Sequence, residues 1–191
     1  MANIMIVGVG GQGTLLASRI IGNAVASMGC DVKVSEVHGM SQRGGSVVTY
    51  VRYSEKVASP IIEPGQADYI LAFEELEALR WSSYLKKDGL MIVNANNIDP
   101  MPVITGQAKY PENIPGILKN AGVPSVFFDA LAMAKEAGTE KAVNVVLVGA
   151  LAAGMDIDRE IWENAIRATV KPAFIDVNLK AFQMGYEIKK A

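Results

Sequence analysis

The chain contains one cysteine, Cys30, and one histidine, His38, among 191 residues. A single thiol excludes a disulfide framework, and it excludes an iron–sulfur cluster or thiolate zinc site built within this chain alone. A single imidazole likewise excludes a histidine-rich metal centre, so no metal site is expected. Basic runs are missing too: 18 Lys and Arg stand against 20 Asp and Glu, a formal net charge of −2. No sustained basic run is available to displace phosphate counterions, which argues against non-specific nucleic-acid binding. No stretch approaches the roughly 20 apolar residues needed to cross a bilayer. The opening MANIMIVGVGGQG lacks the basic start and small-residue cleavage site of a secretory signal. These absences together predict a soluble cytoplasmic protein with no membrane partner.

What is present is a globular composition, 50% hydrophobic and 20% charged, without low-complexity tracts. The length suits one domain, residues 1–191. Residues 3–9 read as a fully apolar strand of the kind covered on both faces. A glycine-rich turn follows, and then a helix over 14–28, with Ala17, Ile21, Ala24, Val25 and Met28 on one side and Gly29 at its end. A second strand over 31–37 completes a Rossmann-like first βαβ unit. Further strands are expected at 46–53, 68–73, 90–94 and 123–128, with helices at 74–85 and 112–120, a turn at Asp88-Gly89 and a loop over 96–111. This alternation predicts an α/β fold with a doubly wound, mostly parallel sheet.

Beyond Asp129 the pattern is helical to the end. Asp158 is placed to cap a helix, with Ile157 and Trp162 as a hydrophobic staple. The last helix, 172–189, carries Ile175, Leu179, Phe182 and Tyr186 on one side and Phe174, Val177 and Ala181 on another. Two apolar sides require cover on both, either from the same chain or, as a homodimer, from a second copy. The nine methionines, Met133, Met155 and Met184 among them, read as gap-filling core or interface residues.

Chemistry concentrates in two segments. Gly8-Val9-Gly10-Gly11-Gln12-Gly13 satisfies G-x-G-x-x-G between a strand and a helix. Its glycines admit a tight turn and close approach of a phosphate, which the uncapped N–H groups and positive dipole end of the helix can hold. The second segment is Ser41-Gln42-Arg43-Gly44-Gly45. Arg43 offers a planar fork for phosphate or carboxylate, and the glycines let successive N–H groups point one way. In a doubly wound sheet both segments lie at the carboxyl edge. Glu36, near the end of the second strand, stands loosely where a dinucleotide site keeps its ribose-binding acid, which leaves NAD as an alternative ligand. His38 has no partner acid or nucleophile at motif spacing, so no catalytic residue is assigned. Asn144, in the apolar run 142–153, needs buried partners, and reads equally as a cap on a strand end or as a ligand contact.

In these residues the chain resembles the gamma subunit or gamma domain of the 2-oxoacid:ferredoxin oxidoreductases. The resemblance rests on GVGGQG at 8–13 with the following helix, the Arg43-Gly44-Gly45 loop, VRYSEKVASP at 51–60, DYILAF at 68–73, and Asn144 with VGAL at 148–151. HGMSQRGGSV at 38–47 looks most like the indolepyruvate-type branch of that family, and the length is similar to that of its stand-alone small subunit. The resemblance implies oxidative decarboxylation of an aryl 2-oxoacid, with coenzyme A as acyl acceptor and ferredoxin as electron acceptor. It implies a large catalytic partner subunit that carries thiamine diphosphate, magnesium and [4Fe-4S] clusters, with none in this chain. It also implies that Gly10, Gly11, Gln12, Gly13, Arg43, Gly44 and Gly45 lie nearest coenzyme A or the partner surface. Gly8 and Ser41 complete the candidate ligand-binding set.

Overall fold

The computed structural model describes residues 1–39 and 44–188. Strands β1 (Ala2–Val9), β2 (Asp31–His38), β3 (Ser46–Ser54), β4 (Ala67–Ala72), β5 (Leu85–Asn94) and β6 (Ser125–Phe128) form one sheet in the order β2-β3-β1-β4-β5-β6. β1, β4, β5 and β6 are parallel neighbours. β3 runs antiparallel to both β1 and β2, so it alone is reversed. The first β-helix-β unit is therefore present with β3 inserted between its two strands. The reason is local: β2 and β3 are joined by a short loop, and strands so joined pair as a hairpin more readily than β2 can reach β1.

Helix α1 (Thr14–Ser27) covers one face of the sheet together with α5 (Ala130–Ala137), α6 (Val143–Ala152), α7 (Arg159–Thr169) and α8 (Ile175–Tyr186). The other face is covered by α2 (Glu75–Trp81) and α4 (Ile114–Asn120). The alternation along β1 assigns its residues to these two cores: Ile4 and Ile6 pack with α1, Met5 and Val7 with the opposite layer. All four are fully buried, which is why β1 reads as a continuous apolar run.

Three expectations are corrected. Asp88-Gly89 lies inside β5, with an irregular register opposite Ala67 and Tyr69. Gly89 is needed there because a Cβ would stand 2.9 Å from the Asp68 carbonyl oxygen, a close approach of strands and not a turn. The 96–111 loop contains a further short helix, α3 (Met101–Ile104). Asp158 occupies the position before α7, yet its side chain makes no capping hydrogen bond. The staple residues Ile157 and Trp162 are both buried.

The last helix finds part of its cover within the same chain, while Phe174, which precedes it, is exposed. α8 crosses α6 where Gly149 and Gly185 face the opposing backbone. A Cβ on Gly185 would press into the Val146 carbonyl, and one on Gly149 into that of Phe182. Ala181 and Phe182 are fully buried at this crossing. Among the described residues, no helix is long and apolar enough to cross a membrane.

Candidate ligand site at the carboxyl edge of the sheet

The chain leaves β1 at Gly8 and enters α1 through Gly13, with Gly11 at φ 103° and Gly13 at φ 88°. Both are left-handed conformations that a side chain would strain. Gly13 occupies the capping position without a capping side chain, and the first turn of α1 carries no acid. The N–H groups of Thr14 and Leu15 precede the first bond of the helix, which Leu16 N–H makes to the Gly13 carbonyl at 3.1 Å. Here the positive end of the helix dipole is left unneutralised.

Gln12 has a role the motif does not reveal. Its Oε1 accepts from Val9 N–H at 2.7 Å, and its Nε2 donates to the Phe73 carbonyl at 3.1 Å, just past β4. Both ends of the side chain are thus committed to locking the turn across two strands. Gly8 makes room for it, since a Cβ there would meet Gln12 Oε1 at 2.9 Å. Gln12 therefore shapes the turn, and its own N–H is bonded to the Val9 carbonyl at 3.2 Å.

The second glycine segment meets the first. Gly10 N–H donates to the Gly45 carbonyl at 2.9 Å, and Gly44 N–H donates to the Gly10 carbonyl at 3.3 Å. Gly44 has φ 76°. Ser41 and Arg43 lie outside the described residues. The exit of this segment is pinned by a buried carboxylate: Ser46 Oγ donates to Glu77 Oε2 at 2.5 Å, and Trp81 Nε1 donates to the same oxygen at 3.2 Å. Glu74, also buried, accepts from Glu77 N–H at 2.8 Å, from Ile98 N–H at 3.3 Å and from the Tyr110 hydroxyl. Burial, and then the Glu74 carboxylate, push the Tyr110 hydroxyl far above its ordinary range. Sequence reading missed this carboxylate pair, because two glutamates in a polar stretch look like a solvated helix start.

Two cavities flank the glycine turn. One, about 420 Å³, is lined by Gly10, Gly11, Thr14, Glu36, His38 and Val47. Glu36 accepts a long 3.4 Å bond from Thr49 Oγ1. His38 is exposed and its Nδ1 lies 3.0 Å from the Gly39 carbonyl. The other, about 480 Å³, opens between the ends of β1, β4 and β5 and the start of α6, and is lined by Gly11, Gly13, Asn94, Asn96, Lys141 and Asn144. This is the switch point of the sheet, where α1 and α2 depart to opposite faces, and ligands of open α/β sheets bind in such crevices. Asn94 is fully engaged, donating to the Phe73 carbonyl at 3.3 Å and accepting from Ala130 N–H at 3.0 Å. The position of Asn94, last in an apolar strand, was the available sequence signal for it. Asn144 caps no strand: it sits in the first turn of α6 and donates to the Gly13 carbonyl at 3.3 Å. Among the described residues, no group of three or more His, Cys, Asp or Glu could hold a metal ion.

The fold and the paired glycine segments define an α/β protein with a crevice at the carboxyl edge of its sheet. Residues 3–188 match the pyruvate ferredoxin/flavodoxin oxidoreductase family, and the chain belongs to it. It is similar to the indolepyruvate oxidoreductase subunit IorB of Thermococcus kodakarensis, with 46% identity over 98% of this chain and 96% of that protein. Its structure resembles the gamma subunit of a keto/oxoacid ferredoxin oxidoreductase from Geobacter sulfurreducens, with a TM-score of 0.73 and 28% identity over 98% of this chain and 97% of that one. It also shares its fold with a 2-oxoglutarate:ferredoxin oxidoreductase from Magnetococcus marinus, solved with 2-oxoglutarate, coenzyme A and succinyl-CoA bound. The TM-score there is 0.73 and the identity 20%, over all of this chain and 32% of that one. The chain is accordingly a small subunit of an oxidoreductase complex of this family, similar along almost its whole length to the indolepyruvate subunits.

Proposed function

We propose that this subunit supports the coenzyme A-dependent step of aryl 2-oxoacid oxidation by holding the phosphates of coenzyme A at the edge of a site completed by the large subunit. The observation that carries the reading is the hydrogen-bonded rim formed by Gly10 with Gly44 and Gly45, beside a helix start with no capping side chain and no acid in its first turn. Two segments distant in sequence are thus held together beside the positive dipole end of α1, which suits a phosphorylated ligand. The nine residues Gly8, Gly10, Gly11, Gln12, Gly13, Ser41, Arg43, Gly44 and Gly45 form this anion site in our reading, with Gln12 acting through the turn it locks and Arg43 supplying the charged fork.

The work of these residues is binding and orientation. Backbone donors fix the phosphates, and the coenzyme's thiol is thereby directed toward the partner. Thiamine diphosphate, magnesium and the [4Fe-4S] clusters belong to the large subunit, and ferredoxin accepts the electrons. This chain contributes no acid, base or nucleophile and is inactive without its partner. The test is reconstitution: indolepyruvate-dependent, coenzyme A-dependent reduction of a viologen dye should need both subunits. Full activity from the large subunit alone would end the proposal.

One observation favours a second reading. Glu36 lines the same cavity as Gly10, Gly11 and Thr14, where a carboxylate could take the ribose hydroxyls of NAD. Calorimetry with NAD(H) and coenzyme A separates the two, since tighter dinucleotide binding would select the NAD reading.

A further inference from the structure

Phe174 is the one aromatic side chain left exposed among the described residues, at 53%. It lines a further cavity of about 360 Å³, bounded by the first turn of α1, the segment before α6 and the junction of α7 with α8. Leu16, Ala142 and Val170 complete its apolar walls. The uncharged polar groups of the lining are already engaged. Asn178 Nδ2 donates to the Phe174 carbonyl at 2.7 Å, Thr169 Oγ1 donates to the Ala165 carbonyl at 2.6 Å, and Thr139 Oγ1 accepts from Lys141 N–H at 3.4 Å. Two ammonium groups remain, those of Lys141 and Lys171. Both residues are exposed, neither has an acidic partner among the described residues, and no carboxylate lines the cavity.

This cavity adjoins the glycine turn. Lys141 lines both it and the 480 Å³ cavity at the switch point. Leu16, on its wall, makes the first bond of α1 to the Gly13 carbonyl. A ligand whose phosphates rest at the glycine turn can therefore continue past Lys141 between these apolar walls. The lining limits what that continuation is. A purely apolar group would leave two ammonium groups unanswered, and a phosphate alone would leave the Phe174 ring bare. A nucleobase whose sugar carries a further phosphate answers both, through stacking and through charge.

We propose that this cavity is the subsite for the adenine nucleotide end of coenzyme A, with the base stacked on Phe174 and the 3′-phosphate held by Lys171 and Lys141. The inference rests on the coenzyme A reading above and deepens it: the glycine turn takes the diphosphate, and the cavity takes the nucleotide beyond it. Asn178, 8% exposed, ties down the backbone at Phe174 and so keeps the ring in place. The two lysines also favour coenzyme A over NAD, which has no 3′-phosphate.

The experiment uses the intact complex of this chain with its large subunit. Calorimetry measures coenzyme A, 3′-dephospho-coenzyme A and 4′-phosphopantetheine against wild type, Phe174→Ala and Lys171→Ala. Both positions are exposed, so the variants keep the fold. Phe174→Ala should weaken coenzyme A and its dephospho form about tenfold each and leave phosphopantetheine unchanged, because only the first two carry the base. Lys171→Ala should weaken coenzyme A about tenfold and spare the other two. Unchanged affinity for coenzyme A in both variants overturns the inference. Equal weakening of all three ligands also overturns it, because the side chains would then act only through the shape of the site. If Phe174→Ala instead breaks the association with the large subunit, or disperses a dimer of the isolated chain, while coenzyme A affinity is kept, the ring belongs to a protein interface and the assignment falls. A ligand-side version needs no variant: wild-type complex should bind coenzyme A about tenfold more tightly than its dephospho form, and equal binding overturns the assignment. Failure of coenzyme A itself to bind the wild-type complex would instead remove the reading on which the inference rests.

Discussion

Replacing Gln12 by alanine separates a structural lock from a ligand contact. In the folded chain Gln12 Oε1 is the partner of Val9 N–H, and Nε2 donates to the Phe73 carbonyl. That carbonyl retains a second donor, Asn94 Nδ2 at 3.3 Å, so its loss is partial. Val9 is 9% exposed, and its N–H would be left nearly buried without a partner, a deficit of about 1–3 kcal/mol. With the weakened tie to Phe73, a total of about 2 kcal/mol is expected. For a chain of this size that corresponds to a fall of about 4–8 °C in Tm, or about 1 M in the urea midpoint. Both can be measured on the unliganded chain by circular dichroism, and hydrogen exchange at the Val9 amide should accelerate. If Gln12 instead served coenzyme A directly, the unliganded variant would match wild type in stability and exchange, and only its affinity for the coenzyme would fall. That outcome would refute the assignment of Gln12 as the lock between β1 and β4.

Three further expectations follow from particular contacts. Gly185→Ala drives a methyl group into the Val146 carbonyl at the α6/α8 crossing, and should destabilise by about 3 kcal/mol or fail to yield soluble protein. Wild-type behaviour in denaturant would show that the helices can separate. Gly13→Ala combines a positive φ of 88° with a methyl group against Asn144. It should reduce stability by about 2 kcal/mol and weaken coenzyme A binding in the complex; an unchanged affinity there would place the ligand elsewhere. Asp31 titrates below the ordinary carboxylate range because it accepts from Lys33 Nζ and Val57 N–H. Its charged form therefore stabilises the fold above that range, and the contribution is lost as pH falls through the lowered value. Asp31→Asn should have a lower Tm at neutral pH and a shallower decline on acidification from about pH 5 to about pH 2, and parallel curves would contradict the sign.

Within this protein, what short-range physics controls was legible from sequence. β1 showed itself by an unbroken apolar run, because a strand covered on both faces has no polar position to offer. The glycine turn showed itself because positive φ at Gly11 and Gly13 admits few other residues. α1 followed from its apolar spacing, and the small-subunit character followed from motifs that run in order along nearly the whole chain. Tertiary structure decided what depends on partners far away in sequence. It set β3 between β1 and β2, since the pairing of β3 with β1 joins residues as far apart as Ala2 and Tyr53 and leaves no mark on either strand alone. It turned Gln12 from a ligand candidate into a lock, because only the fold brings the Phe73 carbonyl to it across 61 residues. It brought Asn144 under Gly13 across 131 residues and left one atom of that amide unpaired. Whether a buried polar group is satisfied depends on every neighbour around it. No local pattern in the sequence encodes that property.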